Sequence, residues 1–344
     1  MTEATAATFT AKSFALECGA TLPEMTLAYE TYGGLDDDKG NAILLLHGYT
    51  SSQHAAGTAQ DPGWFDGLVG PGKTIDTDRY FVICPNNPGS CHGSTGPNRI
   101  DPATGGEYGP DFPDISCPDM AAAQKLMVED FGIERLAAVI GYSYGGYLTY
   151  QWAVMYPDAM RALVPVATAI KGRGDPSMVQ DLVDRFAAAP GWNGGRWYGN
   201  GEGILDALIE WRMTTLLSYN VDDELRAQDL DEAAVEAGVR ERATDWARNF
   251  DPNSLVVLRR AAIRFDAEKD AGNIKAPVLY VLATTDKLFG PERGPATVEM
   301  LRGLGVEADY FELASDYGHR APAVDWAKWA PALGAFLDAH CGVN

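Results

Sequence analysis

Basic residues are scarce in this sequence. Its 344 residues include 27 Lys and Arg against 48 Asp and Glu, which gives a formal net charge of −21 at pH 7. Nucleic acids and anionic membrane surfaces attract positively charged protein faces, so neither is an expected partner. The acidic excess favours high solubility and leaves a small-molecule substrate as the expected partner.

Cysteine pairs and long apolar runs are also missing. The cysteines, Cys18, Cys84, Cys91, Cys117 and Cys341, are odd in number, widely spaced and without a CxxC pair. This pattern indicates neither a disulfide framework nor a zinc site, and we expect no metal and no cofactor. No apolar run approaches the ~18 residues of a transmembrane helix. The first residues carry neither a basic patch nor an apolar stretch, so we expect a cytoplasmic protein without a secretory signal.

Apolar patterns divide much of the chain into strands. The segments "TFTAKSFALE" and "MTLAYETYG" alternate, which is typical of paired antiparallel strands. Short continuous runs, which suit strands covered on both faces, occur at Ala42–Leu46, Tyr80–Cys84, Leu136–Ile140, Ala162–Ala167 and Val278–Ala283. Helical patterns at Met120–Phe131 and Tyr144–Tyr156 lie between them. The alternation predicts an α/β fold with a mostly parallel sheet.

The pattern changes between residues 171 and 269, where strand-like runs disappear. This segment contains helical stretches at Ser177–Ala188, Ile204–Ser218, Ala233–Asn249 and Ser254–Phe265. We therefore predict a core formed by residues 1–170 and 270–344, with residues 171–269 inserted as a helical lid over the C-terminal edge of the sheet. The alternative is a helical domain that only packs against the core.

A candidate nucleophile stands where a predicted strand turns into a predicted helix. Ser143 lies in the G-x-S-x-G motif Gly141–Gly145, after the run Leu136–Ile140. A sharp turn at this place lifts a serine above the sheet, and glycines allow the strand and the helix to approach closely. The motif alone is weak, but this strand–turn–helix context favours a nucleophilic serine over an idle one.

A serine nucleophile needs a histidine base that a carboxylate orients, and on this fold the acid and the histidine follow the serine. Only His319 and His340 follow Ser143, and His340 lies close to the chain end. We predict His319 as the base because it lies in a loop after a strand-like run. Asp286, at the end of "VLYVLATTD", is the preferred acid, and Asp316 is the alternative.

Two backbone N–H groups should stabilise the oxyanion that forms when the serine attacks a carbonyl. One is expected from Tyr144, directly after the nucleophile. The other is expected from Tyr49, in the loop "HGYTSS" after the Ala42–Leu46 strand. His47 in the same loop precedes the serine, and we interpret it as structural.

Several segments resemble the homoserine O-acetyltransferase family of α/β-hydrolases. These are "HGYTSSQHAAG", "NNPGSCHGSTGPNRIDPATGGEYGPDFPDIS", "VIGYSYGGYLTYQWAVMYPD", "DKLFGPE" and "YGHRAP". The resemblance implies an α/β-hydrolase fold, a triad at Ser143, Asp286 and His319, and a helical lid over a deep tunnel. It also implies a homodimer formed largely through the lid, and transfer of an acyl group from acetyl-CoA through the serine to homoserine.

The sequence departs from that family where the acceptor is bound. The family carries an Asp directly after the catalytic His, where it binds the homoserine ammonium, and here that residue is Arg320. An arginine at this position repels an ammonium. The alternative is that Arg320 turns away and pairs with a surface carboxylate; the ammonium is then not repelled but still lacks its partner. Arg212 matches the family's carboxylate-binding arginine. Tyr142 and Tyr144 flank the serine and could narrow the pocket around a small acyl group; ordinary packing is the alternative.

Two functions are therefore considered. The first is a carboxylic ester hydrolase, in which Ser143 takes a short acyl group, such as acetyl, and water removes it. The second is a homoserine O-acetyltransferase that uses acetyl-CoA. We favour the hydrolase, because a short neutral ester needs no ammonium partner. A non-catalytic binding protein is disfavoured, because all three triad residues are present.

Overall fold

The structure is a computed structural model that describes residues 4–58 and 60–342. Its strands are β1 (Thr5–Ala15), β2 (Thr21–Tyr32), β3 (Ala42–Leu46), β4 (Val69–Gly70), β5 (Ile75–Asp76), β6 (Phe81–Pro85), β7 (Ala138–Tyr142), β8 (Leu163–Val166), β9 (Val278–Ala283) and β10 (Ala308–Leu313). The main sheet has the strand order β1-β2-β6-β3-β7-β8-β9-β10, and strands β4 and β5 form a separate pair.

Strand directions follow the expectation. The β1–β2 and β2–β6 pairs are antiparallel, and every pairing from β6 through β3 to β10 is parallel. All five residues of β3 are buried, as are all six of β9, because helices cover both faces of the sheet. Each fully buried Leu or Ile there contributes about 1.5–3 kcal/mol. The predicted mostly parallel α/β sheet is confirmed.

Ten α-helices complete the described part of the chain. They are α1 (Cys117–Asp130), α2 (Tyr144–Met155), α3 (Ser177–Ala187), α4 (Ile204–Ser218), α5 (Val221–Arg226), α6 (Glu232–Ala247), α7 (Pro252–Arg264), α8 (Arg293–Gly303), α9 (Ala321–Val324) and α10 (Trp326–His340). No helix among residues 4–58 and 60–342 is long and apolar enough to span a membrane.

Helix α1 begins earlier than its apolar pattern predicts. The pattern predicts a start at Met120, but the helix begins at Cys117 because Ser116 and Asp119 form a capping box. The Ser116 hydroxyl accepts the Asp119 N–H at 3.2 Å, and an Asp119 carboxylate oxygen accepts the Ser116 N–H at 2.9 Å. Polar caps satisfy the free N–H groups of the first turn and extend a helix beyond its apolar stripe.

Helices α3 to α7 lie between β8 and β9, in the segment predicted as the lid. They have an apolar cluster of their own, which includes Phe186, Trp211, Leu216 and Val239. Four of the five match the predicted helices to within two residues at either end, and the short α5 was not predicted. The chain boundaries of the lid and the homodimer through it stay predictions.

His47 follows β3 and is fully buried. Its Nδ1–H donates to the carbonyl oxygen of Gly48 at 2.8 Å, and its Nε2 accepts the Asn87 N–H at 3.2 Å. Both contacts require a neutral ring with the proton on Nδ1. Burial, with a smaller effect of nearby His92, lowers the pKa of His47 to about 4. These contacts support the interpretation that His47 holds the loop after β3 in place.

The lowered pKa of His47 predicts that the folded protein loses stability in mild acid. The unfolded chain binds a proton at this imidazole below about pH 6.5, whereas the folded protein resists protonation down to about pH 4. The neutral His47 therefore makes its full contribution to stability above about pH 6.5. As the pH falls towards 4, the free energy of unfolding decreases by about 3 kcal/mol. Urea unfolding of wild type between pH 7 and pH 4 should have a steeper pH dependence than that of His47→Gln, and His340→Gln serves as the control. Equal slopes for wild type and His47→Gln would contradict this account.

Candidate active site

Ser143 occupies the turn between β7 and α2. Strand β7 ends at Tyr142 and α2 begins at Tyr144, so the serine alone makes the change of direction. Its backbone has φ 57° and ψ −113°, a strained conformation that L-residues rarely adopt. The Ser143 N–H donates to the carbonyl oxygen of Val166 in β8 at 2.8 Å, which ties the turn to the neighbouring strand.

Two glycines make this turn sterically possible. A Cβ on Gly145 would overlap the carbonyl oxygen of Leu46 at the end of β3, and a Cβ on Gly141 would overlap Gly145 itself. Strand β3, strand β7 and helix α2 can therefore meet only because both positions lack a side chain. The motif spacing seen in the sequence reflects this contact.

Three side chains from separate strand ends meet above the sheet. The Ser143 hydroxyl donates to His319 Nε2 at 2.9 Å, and His319 Nδ1–H donates to Asp286 Oδ2 at 2.8 Å. A carboxylate only accepts, so the proton between them lies on Nδ1 and Nε2 remains free to accept. Asp286 and His319 are only 3% and 2% exposed, which excludes water from this hydrogen bond. The arrangement can activate a serine hydroxyl.

The structure distinguishes the two candidate acids. Asp286 Oδ1 accepts the N–H groups of Leu288 at 2.8 Å and Phe289 at 3.1 Å, which fixes the carboxylate while Oδ2 faces His319. Asp316 is exposed and makes no contact with the imidazole among the described residues. Only Asp286 is therefore placed to orient His319.

The loop that carries His319 is attached to the loop that carries Asp286. The hydroxyls of Thr284 and Thr285 donate to the carbonyl oxygen of Ser315 at 3.0 and 2.7 Å. Thr285 Oγ1 also accepts the N–H of Gly318 at 3.0 Å, one residue before His319. These neutral hydrogen bonds hold the acid and the base at a fixed separation.

Tyr142 supports His319 from behind. Its ring stacks on the imidazole with centroids 5.4 Å apart, and its hydroxyl donates to the His319 carbonyl oxygen. Its other face lies near Trp64, at 6.2 Å between centroids. Tyr142 does not line the cavity above Ser143. Its predicted role in substrate binding stays a prediction, while its contacts are those of a side chain that positions the base.

Two backbone segments adjoin the serine hydroxyl. Tyr144 is the first residue of α2, where a backbone N–H has no acceptor within the helix. On the other side, a Cβ on Gly48 would lie 3.6 Å from the Ser143 Cβ, so the loop after β3 passes beside the serine at Gly48 and Tyr49. The predicted N–H donors, Tyr49 and Tyr144, thus lie on segments next to Ser143, with their rings stacked 6.0 Å apart.

A cavity of about 180 Å³ opens above Ser143, between the core and the lid. Most of its wall is aromatic or aliphatic, and it also includes two guanidinium groups, from Arg173 and Arg259. The size suits a short acyl group together with a small alcohol. No Asp or Glu is among the described residues that line it.

Arg212 lies beside this cavity rather than in its wall. It projects from α4, donates to the Thr50 hydroxyl at 2.8 Å and stacks on Trp246 at 4.8 Å. Its Nε is buried without a hydrogen-bond partner in the described part of the chain. Burial lowers the pKa of Arg212 to about 10, so the group is still a cation at neutral pH.

Arg320 is paired with a carboxylate of the lid. Its Nε lies 3.4 Å from Glu224 Oε2, and the other Glu224 oxygen lies 2.9 Å from Arg242 Nη1. Of the two possibilities left open by the sequence, the structure has the one in which this arginine pairs with an acid. Arg320 lines a different cavity, next to Trp64 and Trp246, and does not reach the wall above Ser143.

Some residues of the site were not predicted. Tyr219 lies 5.0 Å from His319, ring to ring, and lines the cavity with Arg173 and Arg259. All three are in the lid segment, where no motif fixes which side chains face the serine. In the two described ranges, no three His, Cys, Asp or Glu side chains are grouped where they could hold a metal ion.

Comparison with known proteins agrees with the fold. Residues 41–321 match a family described by the alpha/beta hydrolase fold. A homoserine O-acetyltransferase of Moorella thermoacetica is 37% identical over 349 residues, which cover 94% of this chain and 92% of the relative.

Solved structures of two kinds are similar to this chain. A homoserine O-acetyltransferase from Bacillus anthracis has a TM-score of 0.89 and 29% identity, with 100% of both chains covered. A structure named esterase E22 has a TM-score of 0.86 and 27% identity, and covers 97% of this chain and 100% of its own. The chain is therefore an α/β-hydrolase-superfamily enzyme, a hydrolase or an acyltransferase, and belongs to the homoserine O-acetyltransferase family.

Proposed function

We propose that this protein hydrolyses esters of short carboxylic acids through an acyl-enzyme on Ser143. The observation that carries the proposal is the hydrogen-bonded set of Ser143, His319 and Asp286 below a small cavity without a carboxylate. The set supplies a nucleophile, a base and an orienting acid. The cavity has room for a short ester.

In the first half of the reaction, His319 Nε2 removes the proton from Ser143 Oγ as the oxygen attacks the ester carbonyl. Asp286 stabilises the imidazolium that forms and keeps it oriented. The backbone N–H groups of Tyr49 and Tyr144 donate to the developing oxyanion. His319 then gives its proton to the leaving alkoxide, so that the alcohol departs and the acyl group stays on Ser143.

The second half repeats these steps with water. His319 Nε2 takes a proton from a water molecule, whose oxygen attacks the acyl carbonyl. The tetrahedral intermediate collapses, and His319 returns the proton to Ser143 Oγ. The products are a carboxylic acid and the restored serine, so no cofactor is consumed.

Hydrolysis is favoured over transfer to homoserine by the absence of a partner for an ammonium. Arg320 stands where the transferases have their ammonium-binding Asp, and Glu224, the acid that Arg320 contacts, is paired with both Arg320 and Arg242. No Asp or Glu in the described chain lines the cavity above Ser143. An amino-acid acceptor would bring its ammonium among arginines, which costs free energy in a partly dry site.

Homoserine O-acetyltransferase activity is the second candidate. It is favoured by the name of the Moorella relative, which matches nearly the whole chain, and by Arg212, a buried cation that matches the carboxylate-binding arginine of that family. Both candidates share the acyl-enzyme and differ in the group that removes the acyl chain. The names of the relatives favour the transferase. The presence of Arg320 in place of an Asp, and the lack of an acid in the described wall of the Ser143 cavity, favour the hydrolase.

The choice between the two acids predicts different effects of two matched substitutions. Asp286→Asn should lower kcat for 4-nitrophenyl acetate by about 10⁴, because His319 then loses its acceptor and adopts the wrong tautomer. Asp316→Asn should leave kcat unchanged within error, since the exposed carboxylate does not touch the imidazole. A damaging Asp316→Asn beside a silent Asp286→Asn would reverse the assignment.

A second experiment separates hydrolysis from transfer. Wild-type protein is given 4-nitrophenyl acetate, and separately acetyl-CoA, each with and without homoserine, and the products are measured by mass spectrometry. We expect free acetate from the ester at a rate that homoserine does not change. Ser143→Ala is the control and should form neither acetate nor O-acetylhomoserine above the background. Formation of O-acetylhomoserine from acetyl-CoA faster than free acetate would establish the transferase instead.

A further inference from the structure

Two arginines in the wall of the Ser143 cavity have no carboxylate partner. Arg173 lies in the loop between β8 and α3, and Arg259 projects from α7. Neither forms an ion pair with any Asp or Glu in residues 4–58 and 60–342, although the chain contains 48 acidic residues against 27 basic ones. In so acidic a protein, two unpaired guanidiniums in one small cavity need an explanation.

The contacts of these arginines leave donor groups unused. Arg173 donates through one Nη to the Leu288 carbonyl oxygen and lies 5.6 Å from the Phe289 ring centroid. Arg259 lies 5.0 Å over the Tyr49 ring, and its Nε is buried without a hydrogen-bond partner among the described residues. Arg259 also forms a side-chain hydrogen bond with Tyr49. A guanidinium has five N–H donors, so these contacts satisfy only part of the capacity of each arginine.

Both charges act on the same part of the cavity. Burial raises the pKa of Tyr147, and the positive charges of Arg173 and Arg259 offset part of that rise. Tyr147, Arg173 and Arg259 line the same cavity, and the described wall of that cavity includes no acid. The mutual repulsion of the two arginines is unfavourable in a partly dry site, and an anion bound between them would relieve it.

We propose that the Ser143 cavity binds an ester that carries a carboxylate at its non-reacting end, held by Arg173 and Arg259. The planar fork of a guanidinium matches a carboxylate, and such charged hydrogen bonds are stronger than neutral ones. The cavity of about 180 Å³ limits the chain between ester and carboxylate to a few carbon atoms. The substrate class is the half-esters of short dicarboxylic acids or the acyl esters of short hydroxy acids.

This inference rests on the proposed hydrolysis at Ser143 and names the substrate class of that site. It differs from the role of Arg212, which lies beside the cavity and contacts Thr50 and Trp246. It also explains why the cavity disfavours an ammonium, because the same positive potential that attracts a carboxylate repels a cation.

Steady-state kinetics on charged and neutral ester pairs test the proposal. The first pair is mono-(4-nitrophenyl) succinate and 4-nitrophenyl butyrate, and the second is 3-acetoxypropanoate and propyl acetate. In at least one pair, wild type should have the higher kcat/KM for the charged ester. Arg259→Gln should weaken that preference by about tenfold to hundredfold while cleavage of the neutral ester continues. Arg185→Gln, which removes the same charge from an exposed position of α3, is the matched control and should leave the ratio unchanged.

A binding measurement keeps this test independent of turnover. Calorimetry on Ser143→Ala should detect binding of monomethyl succinate or 3-acetoxypropanoate, but not of methyl butyrate, and adding Arg259→Gln should remove that binding. If binding is seen but wild type cleaves no ester, the anion site stands and the proposed hydrolysis fails. If neutral esters are preferred in both pairs and Ser143→Ala binds neither charged ester, the arginines only stack on the aromatic wall and the proposal is overturned.

Discussion

The hydrogen bond between His319 and Asp286 is the interaction on which the site depends. Both groups are buried, so neither can exchange its partner for water without opening the structure. The carboxylate fixes the proton on Nδ1 and thereby leaves Nε2 as the acceptor that faces Ser143. Loops from two neighbouring strands, joined through Thr284 and Thr285, hold that geometry. In the proposed reaction, the reactivity of Ser143 depends on this arrangement.

The sheet supplies the second constraint. Parallel strands β3, β7, β9 and β10 end at the same edge, which brings residues distant in sequence to one place. The strained backbone of Ser143 costs of order 1–3 kcal/mol, and close packing of β3 and α2 around Gly145 maintains it. A rigid core thus positions Ser143, while residues of the segment between β8 and β9 form much of the wall of the cavity above it.

The sequence predicts the site residues of the core better than those of the lid segment. Ser143, Asp286 and His319 could be chosen because strand-end position and chain order limit the alternatives, and the structure brings these three together. The position of Tyr142 could not be foreseen, because a side chain beside a sharp turn can face either the cavity or the base. Arg173 and Arg259 carry no motif, and their place in the wall depends on how the lid helices pack on the core.

The account claims that Ser143 carries the acyl group and that water removes it. Rapid-quench mass spectrometry of the protein after mixing with 4-nitrophenyl acetate tests this most directly. We predict an adduct with the mass of one acetyl group on the peptide that contains Ser143, formed before steady state and lost at a rate that homoserine does not change. Turnover without any acyl adduct on that peptide, or an adduct that homoserine discharges faster than water does, would contradict the account.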